Sequence, residues 1–289
     1  MYNDVQDINE FIRTLDQYLK VFIGKRDYLF LVNDSNNEIL QHYDKNYKNR
    51  FNEKTFRKYY QDKKEYFDNL NIDYHFYIVP DKSVVCRKLL PFTSEFLKRD
   101  HDKIKDISPD FNEILTPLDY NISDSHINHD GATKMITHMI SEIFPQLSVN
   151  DVLSLIEKNT IVKHVLTSGD LLLKENWSYS LEKSEKYSNI PVRTRINIQS
   201  FKKLLAPSKF YSKRELLYYH NFDSFSNKKI LVLRDSSAAY FINSLMVFGK
   251  EILFYWDYWK LNKELIDWFK PDIVLEIRTE RFLENKDFA

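Results

Sequence analysis

The chain has 289 residues, 43% of them hydrophobic, which is enough to fill the core of one large α/β domain or two small ones. Lysine plus arginine and aspartate plus glutamate both number 42, so the chain has no net charge to attract a nucleic acid or an anionic membrane surface. A single cysteine, Cys86, excludes an intramolecular disulfide, and the apolar run around it predicts a buried, inert thiol.

Aromatic residues make up 15% of the chain and glycine occurs only four times. The aromatic excess has two interpretations. One is a binding groove in which rings stack against sugars or bases, and the favoured one is the codon bias of an AT-rich genome. The same bias explains the scarcity of glycine, so the four glycines that remain are expected where a side chain would not fit.

The first third of the chain reads as helices and strands in alternation. Apolar spacing of three and four residues predicts helices, and short apolar runs bounded by polar turns predict strands. The predicted elements are a helix over 5–22 that Gly24 ends, a strand within 27–32 followed by a turn at 33–35, a helix over 53–70, and a strand over 74–79 that Pro80 closes.

The last sixty residues are the clearest part of the pattern, because buried-strand runs alternate there with helical patterns. Strand, helix, strand in that order predicts a parallel sheet with crossover helices. We expect the stretch 145–227 to be connecting structure rather than a separate domain. The elements predicted after residue 127 are helices over 128–144 and 149–157, a strand candidate within 192–199, and strands over 229–233, 251–255 and 272–277.

Asp235 and Ser236 lie between the strand 229–233 and a helix that Gly249 is expected to end in a left-handed conformation. This position is the carboxyl edge of a parallel sheet, where open α/β sheets bind ligands. The first helical turn could also offer N–H groups to an oxyanion. The alternative is that Asp235 or Ser236 only caps the helix.

Asp124-Ser125-His126 precedes the helix 128–144 and is predicted to lie on a loop. A serine nucleophile needs an imidazole to take its proton, and the imidazole needs a carboxylate to fix its tautomer; Asp124 and His126 could fill both roles. Two alternatives stay open. His126 could be a solvated surface residue, or Asp124, His126 and His129 could ligate a metal. We expect no metal, because no further cluster of acids or histidines lies nearby in the sequence.

Six short motifs in order resemble the SGNH-hydrolase-like domain of the alginate O-acetyltransferases, of AlgX/AlgJ type. The resemblance runs from about residue 22 to 283. The motifs are Gly24-Lys25-Arg26-Asp27-Tyr28-Leu29-Phe30-Leu31, Pro80-Asp81-Lys82 with Leu90-Pro91, Asp124-Ser125-His126-Ile127-Asn128 with Gly131-Ala132, Gly169-Asp170-Leu171, Asp235-Ser236, and Glu280-Arg281-Phe282-Leu283.

The resemblance implies an α/β fold, a three-layer SGNH-like sandwich with a central, mainly parallel sheet. It divides the chain into an N-terminal helical segment, 1–22, and one domain, 23–289. Matched position by position, it implies a triad of Ser236 as nucleophile, His126 as base and Asp124 as orienting acid. The backbone N–H groups of Ser236 and Ser237 would be the oxyanion donors.

Three further residues are candidate substrate contacts, namely Arg234, Lys82 and Asn128. Arg234 stands where the family has a small residue, Ser237-Ala238 replaces Phe-Ser, and Ile127 replaces Trp. For Lys82, the alternative is a solvated turn residue. Glu280 and Arg281 are expected to form a structural ion pair or rim rather than catalytic groups.

The implied reaction is acetyl transfer, through an acyl-serine, onto hydroxyls of a capsular or other exported polysaccharide, without a cofactor. The implied partners are a polysaccharide acceptor, an acetyl donor and a membrane-bound O-acyltransferase. The alternatives are a carbohydrate O-acetylesterase with the same triad, and a non-catalytic polysaccharide-binding assembly protein in which Arg234 spoils the site. No signal peptide or transmembrane segment occurs in the sequence, which as written predicts a cytoplasmic protein; the resemblance implies an extracytoplasmic one.

Overall fold

The computed structural model describes residues 8–14, 18–32, 36–162, 169–174, 192–194, 198–200 and 216–284. The helices are α1 (Ile8–Thr14), α2 (Glu38–Tyr43), α3 (Glu53–Asn69), α4 (Lys82–Val85), α5 (His129–Ile143), α6 (Val149–Asn159), α7 (Asp170–Lys174), α8 (Ile242–Leu245) and α9 (Lys263–Phe269). The strands are β1 (Val21–Ile23), β2 (Leu29–Leu31), β3 (Asp73–Val79), β4 (Thr160–Val162), β5 (Val192–Thr194), β6 (Ile198–Ser200), β7 (Leu216–Asn221), β8 (Lys229–Arg234), β9 (Glu251–Tyr255) and β10 (Ile273–Thr279).

The central sheet has six strands in the order β3-β10-β8-β9-β7-β6. The first four run parallel, while β7 is antiparallel to β9 and β6 is antiparallel to β7. Parallel strands need crossover helices, and these cover both faces of the sheet, so the strands read as continuous apolar runs. The predicted central, mainly parallel sheet is therefore confirmed.

Helices cover the two faces of this sheet and bury two separate apolar cores. In β8, Ile230 and Val232 point to one face, and Leu231 and Leu233 point to the other. The first core is closed by α5 and α6, and the second by α3 and α9. The result is the three-layer sandwich that the sequence predicts.

The helix predicted over 5–22 is wrong at its carboxyl end. The described helix ends at Thr14, and Val21–Ile23 form β1, which pairs antiparallel with β2. Residues 5–7 and 15–17, and the turn predicted at 33–35, lie outside the described residues. Ile8 and Phe11 are buried in the first core cluster, so α1 packs on the same sandwich as the rest. The division into 1–22 and 23–289 stays a prediction.

Gly249 does not have the left-handed conformation predicted for it, since no glycine has a positive φ. Its role is close packing instead. A Cβ on Gly249 would lie 2.9 Å from side-chain atoms of both Ile230 and Ile252. The segment before it is also mostly a 3-10 helix, over Ser236–Phe241, followed by the short α8.

The stretch 145–227 contributes more to the sheet than the connecting role predicted for it. The strand candidate within 192–199 divides into β5, which pairs with β4, and β6, which joins the central sheet through β7. Residues 163–168, 175–191, 195–197 and 201–215 lie outside the described residues. Within the described part of the chain, no helix is both long and apolar enough to cross a bilayer.

Candidate active site

Ser236 follows β8 at the carboxyl edge of the sheet, and Asp235 fixes its backbone. One carboxylate oxygen of Asp235 accepts the Ser237 N–H at 2.9 Å, and the other accepts the Thr279 N–H at 2.7 Å. Asp235 is therefore an N-cap, as the capping alternative predicts, and it also ties the turn to the end of β10. Ser236 begins a 3-10 helix at the carboxyl edge of two parallel strands.

The N–H of Ser237 does not suit the oxyanion role predicted for it. It is committed to the Asp235 carboxylate, and the Ser237 hydroxyl lies 2.5 Å from the Thr279 hydroxyl. An oxyanion donor must point at the reacting oxygen rather than at a neighbouring carboxylate. Of the two donors predicted, only the Ser236 N–H remains a candidate.

Asp124, His126 and Ser236 form one hydrogen-bonded chain, although 110 residues separate the histidine from the serine. Asp124 Oδ1 lies 2.6 Å from His126 Nδ1, and His126 Nε2 lies 2.9 Å from Ser236 Oγ. The same Asp124 oxygen also accepts the His126 backbone N–H at 2.9 Å. The structure thus brings the loop residues Asp124 and His126 together with Ser236, which follows β8. The solvated-surface alternative for His126 is wrong, because its side chain is only 14% exposed.

The charges of this chain fix the histidine tautomer. Burial raises the pKa of Asp124, but the hydrogen bond and positive charge of His126 outweigh burial and bring that pKa below its ordinary value. Burial lowers the pKa of His126, but the hydrogen bond and charge of Asp124 outweigh it and raise that pKa. An ionised carboxylate only accepts, so Nδ1 carries the proton in neutral His126 and Nε2 is left to accept from Ser236 Oγ–H.

Backbone hydrogen bonds hold the loop 122–126 on several sides. The Ile122 carbonyl accepts the Leu29 N–H at 2.9 Å, and the Ser123 carbonyl accepts the Leu171 N–H at 3.3 Å. Leu29 and Leu171 also share a small apolar cluster that packs the β1–β2 hairpin on α7. The hairpin and α7 therefore act as a clamp on the loop that carries Asp124 and His126.

Asp170 and Tyr240 complete the surroundings of Asp124, and no functional role was predicted for either. The Asp170 N–H donates to Asp124 Oδ2 at 3.1 Å, and the Tyr240 hydroxyl donates to the same oxygen at 3.4 Å. The Asp170 carboxylate accepts the Ser125 N–H at 2.7 Å and the Ser125 hydroxyl at 2.9 Å. The motif Gly169-Asp170-Leu171 was a signal that this segment matters, but only the fold places it beside Asp124.

Lys82 is neither a solvated turn residue nor placed to contact a substrate. It is 2% exposed, and its ammonium donates to the carbonyls of Ile122 at 2.9 Å and Asp124 at 2.8 Å. Burial lowers the pKa of Lys82 to about 8, against the raising effect of nearby acids that include Asp124. Lys82 therefore stabilises the loop 122–126 through hydrogen bonds to its backbone.

Arg234 and Asn128 are likewise committed to the protein. The Arg234 guanidinium lies 5.5 Å from the centre of the Trp256 ring and donates to the Asp235 carbonyl at 3.1 Å. Burial lowers the pKa of Arg234, and the side chain is 4% exposed, so it fills space beside the site. Asn128 caps α5: its amide oxygen accepts the Gly131 N–H at 3.0 Å, and its amide nitrogen donates to the Leu118 carbonyl at 2.6 Å.

Glu280 and Arg281 form buried ion pairs, which confirms their predicted structural role. Arg281 lies 2.6 Å from Asp81, and Glu280 lies 2.7 Å from Arg99. Cys86 is fully buried, which confirms the predicted burial of the thiol, and burial raises its pKa to about 12.

The metal set predicted as an alternative is not brought together. Among the described residues, the group whose ligand atoms come close is Asp124, His126 and Asp170, within 4.8 Å of one another. The His129 ring instead lies 3.3 Å from the Thr133 hydroxyl. His126 Nδ1 already bonds the Asp124 carboxylate, and the Asp170 carboxylate already accepts the Ser125 N–H. Hydrogen bonding therefore accounts for this cluster.

Gly169 is the tightest point of the clamp. A Cβ there would lie 2.0 Å from the Ser123 carbonyl oxygen, which is backbone and cannot rotate away. We expect Gly169→Ala to push α7 off the loop, costing about 1–3 kcal/mol of stability. Misplacement of Asp124 should lower kcat/KM about tenfold to a hundredfold. Thermal unfolding and ester turnover, both on purified protein, measure the two effects.

Gly249→Ala is the matched control. Its Cβ would meet side-chain carbons of Ile230 and Ile252 at 2.9 Å rather than backbone at 2.0 Å, and these residues lie away from the loop 122–126, so the loss of stability should be smaller and turnover per folded molecule should be kept. Equal loss of turnover in the two variants would show that Gly169 matters only for general packing.

Comparison with known proteins is informative for the fold. No protein-family model matches the sequence, and a search of curated proteins gave no match. Among solved structures, PatB1 of Bacillus cereus with a sulfonyl adduct is 12% identical, at a TM-score of 0.59, over 93% of this chain and 99% of that chain. A DHHW family protein of Eubacterium siraeum is 12% identical, at 0.54, over 80% of this chain and 86% of that one.

The O-acetyltransferase domain of Pseudomonas putida AlgJ is 12% identical, at a TM-score of 0.51, over 92% of each chain. At such identities the likeness concerns the fold. It agrees with the resemblance that the six sequence motifs carry. The chain therefore has the SGNH-hydrolase-like α/β sandwich fold, in common with the O-acetyltransferase domain of AlgJ.

Proposed function

We propose that the chain is an O-acetyltransferase that moves acetyl groups through an acyl-serine intermediate onto hydroxyls of a capsular or other exopolysaccharide. The observation that carries the proposal is the hydrogen-bonded chain from Asp124 through His126 to Ser236. It puts a neutral imidazole nitrogen within bonding distance of a hydroxyl at the carboxyl edge of a parallel sheet.

In the first half-reaction, His126 Nε2 takes the proton from Ser236 Oγ as the oxygen attacks the acetyl carbonyl. The tetrahedral intermediate collapses, the bond to the leaving group breaks, and His126 returns the proton to that group. Asp124 stays ionised and stabilises the imidazolium. Ser236 then carries the acetyl group as an ester.

In the second half-reaction, a sugar hydroxyl gives its proton to His126 Nε2 and attacks the acetyl-serine carbonyl. The Ser236 Oγ–acyl bond breaks, and the proton returns to Ser236. The acetyl donor and the polysaccharide are thus the two substrates. The reaction uses no cofactor, because acid–base and nucleophilic catalysis suffice for acyl transfer.

Two of the similar structures support this proposal. One is named as the O-acetyltransferase domain of AlgJ, and the other is PatB1 with a sulfonyl adduct. A sulfonyl adduct forms on an activated nucleophile, and the activated nucleophile proposed for this chain is Ser236.

Intact-protein mass spectrometry after exposure to p-nitrophenyl acetate tests the proposal. We expect one acetyl group on the protein, mapped to the peptide that contains Ser236, and its transfer to an added oligosaccharide. Release only as acetate would identify an esterase. Absence of any acyl-enzyme under rapid quenching would contradict both and favour a binding protein.

A further inference from the structure

The carboxyl end of β9 lies beside the proposed nucleophile. Parallel pairing of β8 with β9 puts Leu233 opposite Tyr255, so the chain leaves both strands at the same edge of the sheet. Adjacent strands are about 4.8 Å apart. The residues that follow β9, 256–262, therefore border the turn that carries Ser236, and Arg234 already contacts Trp256 there.

This border presents aromatic surface to solvent. Tyr258 is 56% exposed, and its ring centre lies 6.0 Å from that of Trp256, with the two planes inclined at 35°. An open groove of about 550 Å³ runs along the same segment. Its lining includes Tyr258 and the polar side chains of Lys260, Asn262 and Glu264.

The backbone is strained where it turns Tyr258 outward. Tyr258 and Trp259 have φ of 49° and 66°, the left-handed region that bulky side chains avoid. Such strain persists only where the surrounding structure imposes it, and it concentrates at functional sites.

A buried ionic cluster imposes the strain. Asp257 Oδ1 accepts from Arg278 at 2.5 Å and from the Trp259 N–H at 3.3 Å. The Arg278 guanidinium also lies 4.4 Å from the centre of the Trp259 ring, which is buried in the second core.

Glu276 bonds Arg278 at 2.8 Å and Lys63 at 2.8 Å, so the cluster ties the segment to β10 and α3. Trp259 is anchored inward, and Tyr258 therefore faces out on a rigid support.

We propose that Tyr258, with Trp256 beside it and the groove along 260–264, is an acceptor subsite that stacks a pyranose ring of the saccharide chain. The inference rests on the proposed function, since it names where the polysaccharide lies while its hydroxyl reaches Ser236. Aromatic faces bind the apolar C–H face of a sugar, and the polar groups of the groove bind its hydroxyls. The anchored support lowers the ordering cost on binding.

Saccharide binding without turnover tests the subsite. In a Ser236→Ala background, calorimetry would measure Kd for three probes: cellopentaose, chitopentaose and pentagalacturonate. We expect at least one probe to bind at millimolar concentrations or better. Tyr258→Ala should then weaken binding about tenfold, as expected for the loss of one stacked ring, and Tyr258→Phe should retain it.

Phe222→Ala is the matched control. Phe222 is 54% exposed, close to the 56% of Tyr258, but it follows β7. Because β7 runs antiparallel to β9, the end of β7 lies beside the start of β9, at the edge of the sheet opposite to Tyr258. Removal of the Phe222 ring should therefore leave Kd unchanged. Equal binding by the Tyr258→Ala variant, or no binding of any probe by the parent protein, would overturn the subsite. Absence of an acyl-enzyme in the wild type would overturn only the proposed function, because Kd is measured without catalysis.

Discussion

Ser236→Ala is expected to lower the turnover of an activated acetyl ester by at least about a thousandfold. The hydroxyl that His126 activates would be gone, and the hydrogen bond of 2.9 Å to Nε2 would be lost with it. Steady-state kinetics with p-nitrophenyl acetate measure the loss, and intact mass should show that the variant takes up neither an acetyl nor a sulfonyl group.

The control for this experiment is Ser141→Ala. The Ser141 hydroxyl bonds the His138 carbonyl within α5 and takes no part in the site, so turnover should be kept. If Ser236→Ala turns over acetyl ester as fast as the wild type, Ser236 is not the nucleophile and the proposed mechanism is wrong.

Asp124→Asn is expected to lower kcat/KM about a thousandfold or more and to move its pH dependence. The amide can donate to Nδ1 and so favours the tautomer that carries its proton on Nε2, which cannot accept from Ser236. A base must be neutral, so wild-type kcat/KM rises with pH through the pKa of His126. That pKa is raised, and the acid limb should therefore lie above the ordinary value of about 6.5.

The variant loses the charge that raises this pKa, while burial continues to lower it. The residual activity should accordingly show an acid limb at lower pH than the wild type. Asp130→Asn, an exposed acid in the first turn of α5, is the control and should leave the limb in place. An unchanged limb in Asp124→Asn would mean that Asp124 does not set the charge state of His126.

Much of the fold was predictable because its strands are buried on both faces. After Lys229 and Glu251 at their first positions, the runs 229–233 and 251–255 are apolar, and β8 and β9 begin and end within one residue of them. Ser236 and His126 were predictable for a different reason. Each stands at the edge of a clear element and within one of the six motifs that carry the resemblance, and the resemblance implied their roles.

The support of the site was not predictable from local pattern. Lysine is almost never fully buried, so Lys82 after Pro80 reads as a surface residue until the carbonyls of Ile122 and Asp124 are found around its ammonium. Strand β1 was hidden because Leu19 and Phe22 continue the helical spacing of α1. Pairing with β2 decides its conformation, and pairing partners are not a local property.

Glu276 and Arg278 in β10 show the same limit. Glu276 falls in the run 272–277 that is predicted to be a buried strand, but the pattern names no partner for its charge or for that of Arg278, and both side chains are at most 1% exposed. Their partners, Lys63 and Asp257, come from a distant helix and from the segment after another strand. Only the assembled sheet shows that the charges neutralise one another.

The clamp on the loop 122–126 has a consequence for how activity arises during folding. Its contacts join Leu29, Lys82, Asp124 and Leu171, which are far apart along the chain, and Ser236 is further still. Contacts at such separations are costly in loop entropy and form late. The catalytic geometry should therefore be absent from partly folded species, and its backbone amides should exchange hydrogen only through near-global opening. Enzymatic activity would then report the completion of folding for the whole sandwich.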